Sequence, residues 1–305
     1  MGPKLIALLL GLATSAPLWA ARSISLCHLY LSAYERPFTP AYQGKFHRVH
    51  FSWPLFQLHL KELMLKYPDH FELKSIGRDA GYDMYRVTTL GDHHDRNKIR
   101  LVITGGVHGE EPLGVAAALD LIERYATDET FRRKVEFVMY PALGPWGLTR
   151  FSRINEKRKN YYGGWRPESG YRGPELVMGD LEGERFDLAL DLHGAWPFAK
   201  HYLIRRHPDG GISDRAIAAV PAEERLGTRS GKYPARNTPT GSYWMVAPGI
   251  SQAQYGYGTI QHYLDSIADL SFTTEYPGVP HPDQAHEHNM NLILALIDEV
   301  HGVVR

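Results

Sequence analysis

Apolar positions along this chain come in short runs, set apart by stretches rich in Gly, Pro and charge. Leu101-Val102-Ile103 leads into Thr104-Gly105-Gly106, the pattern of an interior strand that stops at a glycine pair, so a buried strand is expected over 99–104. Apolar runs of the same kind predict strands over 135–140 and 186–192. Strands are also expected at 71–76 and 84–90, joined by a turn over 77–81, and at 201–204 and 270–275. Helical spacing predicts a first helix over 54–67, with Ser52 as its cap, Pro68 as its stop, and Trp53, Leu55, Leu58, Leu63 and Leu65 as its apolar positions. Further helices are expected over 113–125, 213–220, 259–267 and 283–303. Residues 147–183 and 234–258 lose regular pattern and read as long surface loops, and 26–50 as an irregular lead-in. Strands alternating with helices predict a layered α/β domain.

Composition narrows the function classes. The 305 residues are 43% hydrophobic and 22% charged, an ordinary globular balance. Lys+Arg and Asp+Glu both number 34, so no basic field argues for nucleic acid. Cys27 is the single cysteine, which excludes an intramolecular disulfide framework. Residues 1–21 carry Lys4, an apolar stretch from Leu5 to Ala13, and small residues near Ala20. That is the pattern of a signal peptide, and the stretch is short for a membrane span. Export to the periplasm or medium is expected, with an uncleaved N-terminal anchor as the alternative and no stable membrane span once the signal is removed. The domain reading is a signal at 1–21, a lead-in at 22–50, and a catalytic domain at 51–305.

Candidate chemistry sits where the apolar strands end. Past Gly105-Gly106 come His108 and Glu111, an imidazole and a carboxylate at a spacing that can share one zinc ion and leave positions open. The strand over 186–192 delivers His193, with Asp191 two residues earlier on the same face to orient a ligand. The strand over 270–275 ends in Glu275, an acidic residue at the close of an otherwise apolar strand. Arg150, Arg153 and Asn155 follow Gly147 on a loop. Asp92-His93-His94-Asp95 reads as a solvated loop, and His281, His286 and His288 as a solvated helix start.

H-x-x-E, a Pro-x-Gly turn followed by R-x-N, then D-L-H-G, then T-x-E-x-P, in this order, resembles the zinc carboxypeptidase family of the carboxypeptidase A type, from about residue 50 to the C-terminus. The resemblance implies a three-layer α/β/α sandwich with a mixed, about eight-stranded sheet. It implies one zinc held by His108, Glu111 and His193, Glu275 as the catalytic base, and Arg153 as the cation that stabilises the oxyanion. It also gives Asn155 and Tyr255 substrate-binding roles on a peptide or cell-wall peptide.

The chain departs from the family after Arg153-Ile154-Asn155. Aligned on R-x-N-E, Asn160 stands for an Asp that supports a zinc-bound His, so it would serve only as a neutral partner. Tyr162-Gly163 stands for the Asn-Arg pair that grips a C-terminal carboxylate. Release of a C-terminal residue therefore loses its usual support. An amide bond in a branched or modified peptide, as cut by the family's murein-peptide amidases, becomes the alternative substrate. Two further readings stand beside hydrolysis of peptides: a zinc deacylase of N-acyl amino acids like the aspartoacylase and succinylglutamate desuccinylase group, and a non-catalytic relative that keeps the fold.

Overall fold

The computed structural model describes residues 51–91, 95–194, 200–227, 243–253, 256–277 and 282–305. Among them runs a nine-stranded mixed sheet. Its strands are β1 (Phe71–Asp79), β2 (Tyr82–Thr89), β3 (Ile99–Gly105), β4 (Val135–Tyr140), β5 (Phe186–Leu192), β6 (Tyr202–Arg205), β7 (Tyr243–Ala247), β8 (Ile250–Ala253) and β9 (Ala268–Glu275). Their spatial order is β1-β2-β4-β3-β5-β9-β6-β8-β7. The four central strands, β4, β3, β5 and β9, are parallel; β2 and β1 extend one edge antiparallel, and on the other edge β6 runs antiparallel to β9, β8 parallel to β6, and β7 antiparallel to β8.

The apolar runs that predicted β3, β4 and β5 belong to this parallel centre, where helices cover both faces and no solvated side remains. One face packs Leu101, Ile103, Leu188, Leu190 and Phe272 beneath helices α1 (Trp53–Lys66), α2 (Leu113–Thr127) and the C-terminal Pro282–Val304. The other packs Val102, Val138 and Ala189 against Val177, Ile260 and Leu264. Three short helices follow α2, namely α3 (Glu129–Lys134), α4 (Pro145–Leu148) and α5 (Arg172–Asp180). They are followed by α6 (Ile212–Ala216), α7 (Ile260–Ile267) and α8 (Pro282–Val304).

Several expectations need correction. In α1 the buried residues are Trp53, Phe56, Leu60 and Leu63, while Leu55, Leu58 and Leu65 face outward. The stretch 147–183 contains α5. Its Gly173 and Pro174 look like helix breakers in the sequence, but both lie in the first turn, where proline costs no hydrogen bond. Gly173 is required there, because a Cβ would fall 1.2 Å from the Tyr161 hydroxyl. The stretch 234–258 contains the β7–β8 hairpin, two strands of five and four residues at the sheet edge, too short to show a period. The first hairpin turns at Ala80-Gly81, and β1 carries its irregularity between Ser75 and Gly77. Residues 1–50, Asp92 to His94, Tyr255 and His281 lie outside the described residues. No helix among the described residues is long and apolar enough to cross a membrane.

Candidate active site

The strand order explains why distant motifs meet. After β3 the chain passes through α2 to β4 on one side, and later returns to β5 on the other. The carboxyl end of β3 is thus a switch point, where an open α/β sheet leaves a crevice. β3, β5 and β9 are adjacent and parallel. The segments that follow them bring His108 and Glu111, then His193, and finally Glu275 to one end of the sheet.

His108, Glu111 and His193 are all buried, and one donor atom from each lies within 4.8 Å of the others. Glu111 sits between the rings. Its Oε1 is 3.1 Å from His108 Nδ1, and its Oε2 is 2.9 Å from His193 Nδ1 and accepts from the Gly194 amide at 3.3 Å. The two rings meet edge to face, with centroids 4.9 Å apart. Glu275 Oε1 is 4.0 Å from His193 Nδ1, and 13% of its side chain is exposed.

Behind the trio stands a row of polar side chains. Thr104, Asp191 and Thr273 are register partners across β3, β5 and β9, so they point to the same face. Asp191 Oδ2 is 2.8 Å from His193 Nε2, and its Oδ1 accepts from Thr104 Oγ1 at 2.7 Å. Gln261, on α7, donates to both Asp191 Oδ2 and Thr273 Oγ1, at 3.0 and 2.7 Å. Asp191 thus fixes the His193 ring and leaves Nδ1 toward Glu111, as its position two residues before the histidine suggested. Gln261 was not singled out in the sequence, and the only signal for it there is its place in the first turn of an amphipathic helix.

The electrostatics follow from this packing. Burial works against charge on Glu111, but His108 and His193 more than offset it and hold the carboxyl well below its usual range. Burial lowers the His108 pKa despite Glu111 beside it. His193 is raised, because Asp191 and Glu111 outweigh its burial. Burial, with Glu111 and Asp191 adding to it, pushes Glu275 up to about 8 against the pull of His193 and Arg153.

Arg153 reaches the trio from the loop after α4. Its Nη1 donates to Glu110 Oε1 at 3.0 Å and Glu111 Oε1 at 3.2 Å. Asn155 is buried and turned into its own loop, where its Oδ1 accepts from the Lys157 and Lys159 amides, both at 3.0 Å. The Asn160 oxygen accepts from the Tyr162 amide at 3.0 Å and starts a 3-10 turn. His108 Nε2 is buried with no hydrogen-bond partner among the described residues, so Asn160 does not fill the supporting role expected of it. The Tyr162 ring stacks on His108 instead, with centroids 5.7 Å apart and planes 25° from parallel. This contact was missed in the sequence, although the alignment already put Tyr162 where the family carries its clamp. Of the helix histidines expected to be solvated, His286 is buried beside Asp120 and His288 is bonded to Glu224.

The architecture and this site resemble those of the zinc carboxypeptidases. Residues 57–195 match the family model described as zinc carboxypeptidase, a span that holds His108, Glu111 and His193 and bears out the resemblance carried by the motifs. No curated protein matches the chain. Among solved structures, the fold resembles a protein from Shewanella baltica assigned to the metallopeptidases, at 19% identity and a TM-score of 0.61, covering 80% of this chain and 90% of that one. It also resembles a metallo-carboxypeptidase from Burkholderia cenocepacia, at 15% identity and a TM-score of 0.61, over 83% of this chain and 70% of that one. Carboxypeptidase A from Helicoverpa armigera aligns at 13% identity and a TM-score of 0.62, over 93% of this chain and 81% of that one. At these identities the likeness is one of fold.

Proposed function

We propose that this protein is a zinc-dependent hydrolase that cleaves a peptide or peptide-like amide bond. One observation carries the reading: two imidazoles and a carboxylate are buried around one point, with a second carboxylate, Glu275, 4.0 Å from His193. Two histidines and a glutamate are a donor set suited to a catalytic zinc that keeps a position open, and both rings aim Nδ1 at Glu111, so the residues fit the ion. His108, Glu111 and His193 would hold it. Bound zinc supplies an activated water and a polarised carbonyl.

The chain's own residues supply the rest. Glu275 takes a proton at its carboxylate and passes it to the leaving nitrogen. Arg153 stands at the edge of the trio and offers its guanidinium to the oxyanion. Asp191, held by Thr104 and Gln261, keeps His193 in one tautomer and orientation.

The substrate reading follows from Tyr162. A ring stacked on His108 occupies the segment where a carboxylate clamp would lie, and Gly163 adds no cation. That favours an internal or branched amide over release of a free C-terminal residue. Asn155 contributes by shaping the 155–159 loop beside the substrate, and Tyr255 remains a proposed contact. The signal-like first 21 residues support export and a cell-wall peptide as substrate.

The test is a panel of peptides and muropeptides offered to the zinc-loaded protein, with Glu275→Gln as control. Turnover lost in the variant while zinc stays bound supports the mechanism. Turnover unchanged by Glu275→Gln would overturn it, and product masses separate terminal release from branched cleavage.

A further inference from the structure

We propose that His201, Glu224 and His288 form a second site for a divalent transition metal such as zinc, separate from the centre at His108. Three elements converge there: the residue before β6, the turn at 222–224, and α8. One donor atom from each lies within 4.8 Å of the others. Glu224 Oε2 is 2.6 Å from His288 Nδ1 and 3.7 Å from His201 Nε2. Metal–ligand bonds of about 2.0–2.2 Å in a tetrahedron set donors about 3.3 Å apart, a spacing these two distances bracket.

The second observation is His201 itself. It is fully buried, and neither ring nitrogen has a hydrogen-bond partner among the described residues. An unmet polar group in such a place costs about 1–3 kcal/mol, and an ion on one ring nitrogen removes one of the two deficits. Burial, with His288 adding to it, holds the His201 pKa down at about 4, so the ring is neutral, the form that ligates. Its position is fixed by the backbone: the His201 amide donates to Glu224 O at 2.7 Å, and its carbonyl accepts from the Leu226 amide at 2.8 Å. Gln284 holds the other carboxylate oxygen, with Nε2 donating to Glu224 Oε1 at 3.1 Å. That leaves Oε2 to the histidines. The Glu224 and His288 side chains are 28% and 16% exposed, enough for an ion to enter and keep a water.

The site touches the first centre only through structure. The His201 ring stacks on Tyr276, with planes 12° from parallel, and Tyr202 pairs with Glu275 in the β6–β9 ladder. A metal here would fasten α8 and the start of β6 around the residue that follows Glu275.

The experiment loads the full chain with Zn2+ or Co2+, removes excess, and counts metal per chain in wild type, His288→Gln, Glu224→Gln, His108→Gln, and the His108→Gln/His288→Gln double variant. The proposal expects the His108→Gln protein to keep one equivalent, with the absorption of tetrahedral cobalt and a melting temperature that rises on adding Zn2+. The double variant should keep no metal and show no such rise. His288 and Glu224 are partly exposed, so their glutamine variants are expected to fold, and far-UV circular dichroism checks this. A folded His108→Gln protein that takes up no metal, or uptake indifferent to both His288→Gln and Glu224→Gln, overturns the second site. A fall from two equivalents in wild type to one in His108→Gln reports the first centre, whereas the equivalent that remains in His108→Gln reports the second, so the two outcomes remain distinct.

Discussion

At the scale of single residues, Glu275 is where burial and chemistry conflict most openly. Its carboxyl is raised to about 8 from an ordinary 4.5. Between those values the folded, metal-free protein keeps a proton that the unfolded chain has released, so the Glu275 contribution to stability falls as pH rises through that window. His108 and His201 act the other way, since both are held neutral below 6.5, and their contributions rise with pH up to that value. The net slope therefore does not isolate Glu275, but a difference does. In chelator-treated protein, the stability of Glu275→Gln relative to wild type should grow from pH 5 to pH 8, reaching a few kcal/mol, on the order expected for a shift of several pKa units. Denaturant titrations at several pH values read it, and a difference flat in pH would show that the carboxyl is not raised. Asp191 gives a second prediction. It is fully buried and shared by His193, Thr104 and Gln261. Asp191→Asn keeps the shape and removes the charge, so metal affinity should drop about 10–100-fold by competition with a chelator, while the far-UV spectrum stays unchanged.

At the scale of elements, the site depends on how closely two loops meet. Gly109, between the first two metal-binding candidates, lies against Gly147 in α4, just ahead of the Arg153 loop. A Cβ there would fall 1.9 Å from the Gly147 carbonyl carbon, and the Gly109 amide donates to Ser152 O at 3.2 Å. Gly109→Ala must push the His108 loop and the Arg153 loop apart. It should cost roughly 3 kcal/mol of stability and weaken metal binding, and a variant as stable and as tight as wild type would refute the contact. The elements also show what could be read in advance. β3, β4 and β5 are mostly apolar runs because parallel strands at a sheet's centre have no wet face, and His108, Glu111, His193 and Glu275 stood out because each ends or follows an apolar strand. The β7–β8 hairpin and α5 were hidden: one is too short for a period, and the other is built on Gly173 and Pro174, whose value lies in tertiary contact and first-turn position. Tyr162 against His108, and Glu224 between two histidines, are contacts of chain segments far apart, and no local pattern encodes them.

At the scale of the whole molecule, the question is whether a metal held at His108 would build the fold or only complete it. The sheet does not lean on the three residues. Its two faces are packed by separate apolar clusters beneath α1, α2 and α8 on one side and α5 and α7 on the other, and the polar row of Thr104, Asp191, Gln261 and Thr273 closes without an ion. A chelator should therefore leave the protein folded, with its cooperative transition intact. An ion held there would still bind the native state alone, because His108 and Glu111 meet His193 only when β3 and β5 are paired. Binding of that kind stabilises by about 2.7 kcal/mol when free metal is a hundredfold above its dissociation constant, or about 5–10 °C in a domain of this size. The measurement belongs in the His288→Gln background, so that only the centre at the sheet's end is read. There, melting temperature should climb with the logarithm of free Zn2+ and return to its starting value with chelator, and Glu111→Gln should abolish the rise. A melting temperature indifferent to zinc in that background would mean that no ion binds at His108. Unfolding on chelation at ambient temperature would instead mean that the ion is part of the core, against the packing of the two faces.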